Sequence, residues 1–73
     1  MFVIKVYVNQ MFCETYVIPK PTLEDAKRYA YECAKKRCGC VIPNTYEEFE
    51  AECNDDDSWN YIDVLSDDAQ LML

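Results

Sequence analysis

Histidine is missing from this chain, glycine occurs once and proline three times. Without histidine there is no residue of the usual kind for a general base, and a cysteine nucleophile lacks its normal activating partner. A single glycine leaves no glycine-rich loop to cradle a phosphate. Catalysis by this chain is therefore not expected, and neither is a cofactor. No run approaches the roughly 18 apolar residues that would span a bilayer. The opening Met1-Phe-Val-Ile-Lys-Val-Tyr-Val lacks the basic region, long apolar stretch and cleavage site of a secretory signal. A cytoplasmic location with reduced cysteines is the expectation, and five cysteines, an odd number, suit a disulfide framework poorly.

The most conspicuous absence is of positive charge: no lysine or arginine follows Arg37. The first 40 residues hold seven bases and four acids, a net +3, and the remaining 33 hold ten carboxylates, so the total is −7. Like charges repel and oppose compaction, so a one-sided charge distribution is rarely there for folding. It suits a surface that meets a basic partner or turns nucleic acid away. About half of the 73 residues are apolar, with six Tyr, three Phe and one Trp. That is enough for a single compact domain over 1–73, with little core to spare.

Phe2, Ile4, Val6 and Val8 alternate with Val3, Lys5 and Tyr7, the pattern of a strand with one buried face. Asn9-Gln10-Met11 makes a plausible turn, and Phe12 to Ile18 returns as a second strand ended by Pro19 and Pro21. Thr22-Leu-Glu-Asp opens a helix over about Leu23 to Arg37, because the Thr22 oxygen can accept from the Asp25 N–H. Leu23, Ala26, Tyr29, Ala30, Cys33 and Ala34 fall on one face of it, and Lys27, Arg28, Tyr31, Lys35 and Lys36 mostly on the other. Lys35, Lys36 and Arg37 suit the negative end of the helix dipole, and Gly39 stands where a C-terminal cap is wanted.

Cys40-Val41-Ile42 reads as a buried connector or a brief strand. Asn44 or Thr45 then starts a second helix that buries Tyr46, Phe49 and Cys53. After the polar loop Asn54-Asp-Asp-Asp-Ser, Trp59 to Leu65 reads as a third strand and Ser66 to Leu73 as a tail with room for one helical turn. The expected fold is α+β, order β-β-α-α-β: a small three-stranded sheet with two helices on one face. Placing the third strand beside the first puts the most apolar strand in the centre.

Glu47, Glu48, Glu50 and Glu52 project from the second helix, where residues three or four apart lie about 5–6 Å from one another. Asp55, Asp56 and Asp57 follow in the loop, then Asp63, Asp67 and Asp68. Such an array of carboxylates can occupy the cationic groove that another protein uses for phosphates. The plain alternative is a solvated surface that keeps a small protein soluble. Trp59, Tyr61 and Tyr31 are read mainly as core, although aromatics beside a charged rim also serve as interface anchors. Lys27, Arg28, Lys35, Lys36 and Arg37 read as a solvated helix face, since a nucleic-acid binder at −7 would oppose its own field.

Cysteines 13, 33, 38, 40 and 53 contain one close pair, Cys38-Gly-Cys40, where a structural zinc site commonly has two. Core or incidental roles suit them better, and a zinc module built on Cys33, Cys38, Cys40 and a fourth cysteine is an alternative. A calcium loop over Asp56, Ser58, Asn60, Ile62, Val64 and Asp67 has Tyr61 where glycine is needed and Asp where a bidentate Glu is needed, so it is set aside.

In size, acidity and α+β order, the whole chain resembles the small phage-encoded anti-CRISPR inhibitors, a class without a shared motif. The resemblance implies a stoichiometric inhibitor that binds a CRISPR–Cas effector, in the host bacterial cytoplasm, by covering a cationic surface that would hold DNA. From the charge reading, the contact residues are Glu47, Glu48, Glu50, Glu52, Asp55, Asp56 and Asp57, with Trp59 and Tyr61 as anchors. The expected partner is a basic protein surface, met by a monomer or small homodimer, with no direct nucleic-acid or membrane contact. A small acidic adaptor that binds another basic host protein is the other reading.

Overall fold

The computed structural model describes residues 1–66, apart from the side chains of Phe12 and Cys40. Its elements are β1 (Phe2–Val8), β2 (Phe12–Ile18), α1 (Leu23–Cys38), a 3-10 turn at Gly39–Val41, α2 (Tyr46–Cys53) and β3 (Tyr61–Ser66). The order is β-β-α-α-β, and the sheet runs β2-β1-β3 with both pairings antiparallel. The most apolar strand is central, the order that follows from placing the third strand beside the first.

Alternation decides which face of β1 is buried. Phe2 is 4% exposed, and Ile4, Val6 and Val8 are fully buried. Pairing places Ile18 opposite Phe2, and Ile62 and Val64 opposite Val6 and Ile4, so all line the side under the helices. Val3, Lys5, Tyr7, Thr15, Val17, Tyr61 and Asp63 fall on the opposite face. Leu65 is the extra residue at a bulge, because Val3 pairs with Ser66 while Ile4 pairs with Val64. At the β1–β2 turn, Asn9 and Gln10 both hold positive φ, and the Met11 N–H closes on the Val8 carbonyl at 3.0 Å.

Both helices begin at side-chain caps. The Thr22 hydroxyl accepts from Asp25 N–H and the Thr45 hydroxyl from Glu48 N–H, each at 3.2 Å. Each cap satisfies an otherwise unpaired backbone donor and contributes about 1 kcal/mol. Helix α1 stops at Gly39, whose φ of +64° combined with ψ of −126° is readily adopted only by glycine and whose N–H bonds the Lys35 carbonyl.

Three expectations are corrected. On α1 the buried residues are Ala26, Ala30, Tyr31 and Ala34, while Tyr29 is 44% exposed, so the two tyrosines exchange places. Tyr31 faces the flank where α2 packs: its ring meets Tyr46 and Phe49 with centroids 5.9 and 5.5 Å away, and its hydroxyl donates to the Pro43 carbonyl at 2.6 Å. The connector after α1 is a 3-10 turn, with Val41 exposed and Ile42 buried. The third strand begins at Tyr61 because the preceding residues form turns, and Ser66 belongs to the strand. The rest of the tail, 67–73, lies outside the described residues.

Phe49 is fully buried in the cluster that joins α2 to α1. Its loss to alanine would cost about 3–5 kcal/mol, a large share of the roughly 5–15 kcal/mol that holds a domain folded.

Candidate functional site

The acidic residues do not act as one set. Glu47 turns toward α1, where its carboxylate accepts from the Arg28 guanidinium at 3.0 Å, and Arg28 also meets Glu24 at 3.5 Å. The Glu47 carboxyl is held below its ordinary value, first by its own backbone N–H and then by Arg28. Glu50 accepts the Tyr46 hydroxyl at 2.9 Å; burial first, and then that bond, push the Tyr46 hydroxyl's pKa upward. Asp63 sits opposite Lys5 across the β1–β3 pair, a cross-strand match of opposite charge.

Glu48, Glu52, Asp55, Asp56 and Asp57 are left. All five are exposed, and none forms an ion pair among the described residues. Glu48 and Glu52 lie one turn apart on α2, and the Asp55 N–H bonds the Glu52 carbonyl, so the helix runs directly into the loop. The loop has defined turns: Asp55 accepts from the Asp57 N–H through its side chain and from the Ser58 N–H through its carbonyl, each at 3.0 Å. The Ser58 hydroxyl in turn accepts from the Asn60 N–H at 3.0 Å.

Glu52, one of the five, stands where folding does not favour it. The last turn of α2 carries no base, yet Glu50 and Glu52 lie in it, at the negative end of the helix dipole. Glu48 and Glu52, four apart, also repel by about 0.2–0.5 kcal/mol. By contrast, the basic residues of α1 are mostly engaged within the chain. Besides Arg28, Lys35 donates to the Asn44 carbonyl at 2.7 Å and Arg37 meets Glu14 at 3.5 Å.

The reading of Trp59 and Tyr61 as core is overturned, whereas for Tyr31 it holds. Trp59 is 61% exposed and Tyr61 52%, against 1% for Tyr31. Trp59 precedes β3 on the turn that Ser58 shapes, and Tyr61 points to the sheet face away from the helices, against Tyr7 at 5.6 Å. Asn60, weighed in the sequence only as a position of the calcium-loop pattern, ties the two regions together. Only 8% exposed, it accepts the Asn9 N–H of the β1–β2 turn at 3.2 Å. A single Asn among loop residues carries no signal that singles it out.

Among the described residues, no group of three or more Cys, Asp or Glu is arranged to hold a metal ion. Cys13, Cys33, Cys38 and Cys53 are free thiols, and Cys13 is exposed. Ile62 and Val64, two positions of the calcium-loop pattern, are strand residues of β3. No helix among the described residues is long and apolar enough to cross a membrane.

The fold belongs to the class of small α+β domains built on a three-stranded antiparallel sheet. Comparison with family models, with curated proteins and with solved structures finds no match.

Proposed function

We propose that this chain is a non-catalytic inhibitor that binds a cationic, nucleic-acid-binding surface of another protein, with a CRISPR–Cas effector in the bacterial cytoplasm as the partner class. The observation that carries the reading is the exposed run Glu48, Glu52, Asp55, Asp56 and Asp57, without ion pairs among the described residues and partly set against its own helix dipole. A surface meant only for solubility would be served equally by mixed signs. Glu47 and Glu50, also expected at the contact, have partners within the chain in Arg28 and Tyr46, so the reading rests less on them. Trp59 and Tyr61 supply aromatic area beside the charges, which are screened as salt rises.

The test is capture of partners by the tagged protein from lysate of cells expressing CRISPR effectors, at low and raised salt, beside the variant Asp55→Lys, Asp56→Lys, Asp57→Lys. Salt-sensitive capture of a nucleic-acid-binding effector by the parent, lost in a variant that keeps its melting temperature, is the expected result. Capture of a different basic protein would make the chain an adaptor. An inhibitory variant as potent as the parent would remove the acidic loop from the mechanism.

A further inference from the structure

Two hollows adjoin at Trp59 and differ in chemistry. One, about 340 Å³, is lined by Glu52, Asp55, Ser58, Trp59 and Asn60 among others. The other, about 320 Å³, is lined by Tyr7, Gln10, Ser58, Trp59 and Tyr61 and is largely apolar. Ser58 and Trp59 line both, so a carboxylate-lined hollow and an aromatic one meet at these two residues. Among the described residues, four aromatic rings carry one of the chain's own cations: Lys5 over Tyr7, Lys20 over Tyr29, Arg28 over Tyr46 and Lys35 over Tyr31. Trp59, the strongest cation-binding ring type, carries none among the described residues.

We infer that the cleft around Trp59 is a binding site for an arginine side chain of the partner. The aliphatic stem would lie along Tyr61 and Tyr7, and the guanidinium on the Trp59 ring, facing Glu52 and Asp55. Arginine fits both halves better than lysine does. Its planar group stacks on an indole and offers several donors at once, while an ammonium is a compact, strongly hydrated point charge. Asp55 has given one oxygen to the Asp57 N–H, which fixes its side chain and leaves the other oxygen open. Asn60 lines the carboxylate hollow while more than nine-tenths buried. Its oxygen is used by Asn9, and its amide nitrogen has no acceptor among the described residues, so it can donate to a backbone carbonyl beside the bound arginine.

This inference deepens the proposed function by naming the side chain recognised, and its test separates the two. Capped Gly-Arg-Gly and Gly-Lys-Gly peptides are titrated into the protein at low salt, read by fluorescence of its one tryptophan and by backbone amide shifts. The arginine peptide is expected to shift Glu52, Asp55 and Asn60 and to bind at least about fivefold more tightly than the lysine peptide. Trp59→Ala, Glu52→Gln and Asp55→Asn should each weaken it without lowering the melting temperature, and Trp59→Phe should restore part of the loss. Equal binding of both peptides, or a Trp59→Ala variant that binds like the parent, would overturn the site. If the parent captures a basic effector and Trp59→Ala captures it equally well, the inference fails and the proposed function stands. Selective arginine binding without capture of any effector would leave the site standing and the effector reading fallen.

Discussion

Removing the same atom from two tyrosines should move stability in opposite directions. The Tyr31 ring is buried against Tyr46 and Phe49, and its hydroxyl donates to the Pro43 carbonyl at 2.6 Å. Tyr31→Phe keeps the ring, loses that bond and strands the carbonyl, at a cost of about 1–2 kcal/mol. The Tyr16 hydroxyl is buried with no hydrogen-bond partner among the described residues. Tyr16→Phe relieves a desolvation penalty of about 1–3 kcal/mol, less a small loss of packing where the oxygen sat. In a domain of this size 1 kcal/mol moves the midpoint by about 4–8 °C, so Tyr31→Phe should melt about 5–10 °C lower and Tyr16→Phe about 4–8 °C higher. Thermal unfolding followed by circular dichroism at neutral pH reads both. Alkaline solution adds a second readout. Burial first, and then the Glu14 charge, push the Tyr16 hydroxyl up to about 12 from its ordinary 10.0. Its neutral form is thus favoured in the fold, so the linked stability is intact below pH 10 and is lost as pH rises from there through about 12. Tyr16→Phe has no such loss, and its advantage over the parent should widen across that window. A Tyr16→Phe variant that melts at or below the parent would refute the claim that the hydroxyl is unsatisfied.

Glu52→Lys should raise the melting temperature by about 2–6 °C, since it ends the repulsion with Glu48 and puts a cation at the C-terminal end of α2. The same change should weaken partner capture, and a variant that melts lower than the parent would count against the dipole argument. Thiol reactivity should follow burial. Exposed Cys13 should be alkylated first at pH 8, and Cys53, pushed up to about 12 by burial and then by Glu52, at least about tenfold more slowly. Peptide mapping of partly alkylated protein reads that order, and equal rates would show that Cys53 is reached by solvent.

The parts of the fold legible in the sequence are those fixed by short-range chemistry. Alternation in β1 names its buried face because side chains on a strand repeat every two residues, and Thr22, Thr45 and Gly39 name helix ends because caps act within one turn. Features set by distant neighbours were not legible. Tyr31 is buried, with Tyr29 left out, only because α2 packs on that flank of α1. Glu47, itself exposed, has its charge paired only because Arg28, 19 residues earlier, reaches it. Likewise the exposure of Trp59 depends on where the Asp55–Ser58 turns send the chain before β3 begins.

The missing bases after Arg37 were plain from the start, and the structure sorts what that absence means residue by residue. Glu47 and Glu50 have internal partners, so folding accounts for them. Glu52 has none among the described residues, lies at the unfavourable end of its helix and faces Glu48, at a combined cost of about 0.5–1.5 kcal/mol. A domain of 73 residues has little stability to spare, and no ion pair among the described residues offsets that cost. The proposed arginine site would give that charge a use, since Glu52 lines the hollow beside Trp59.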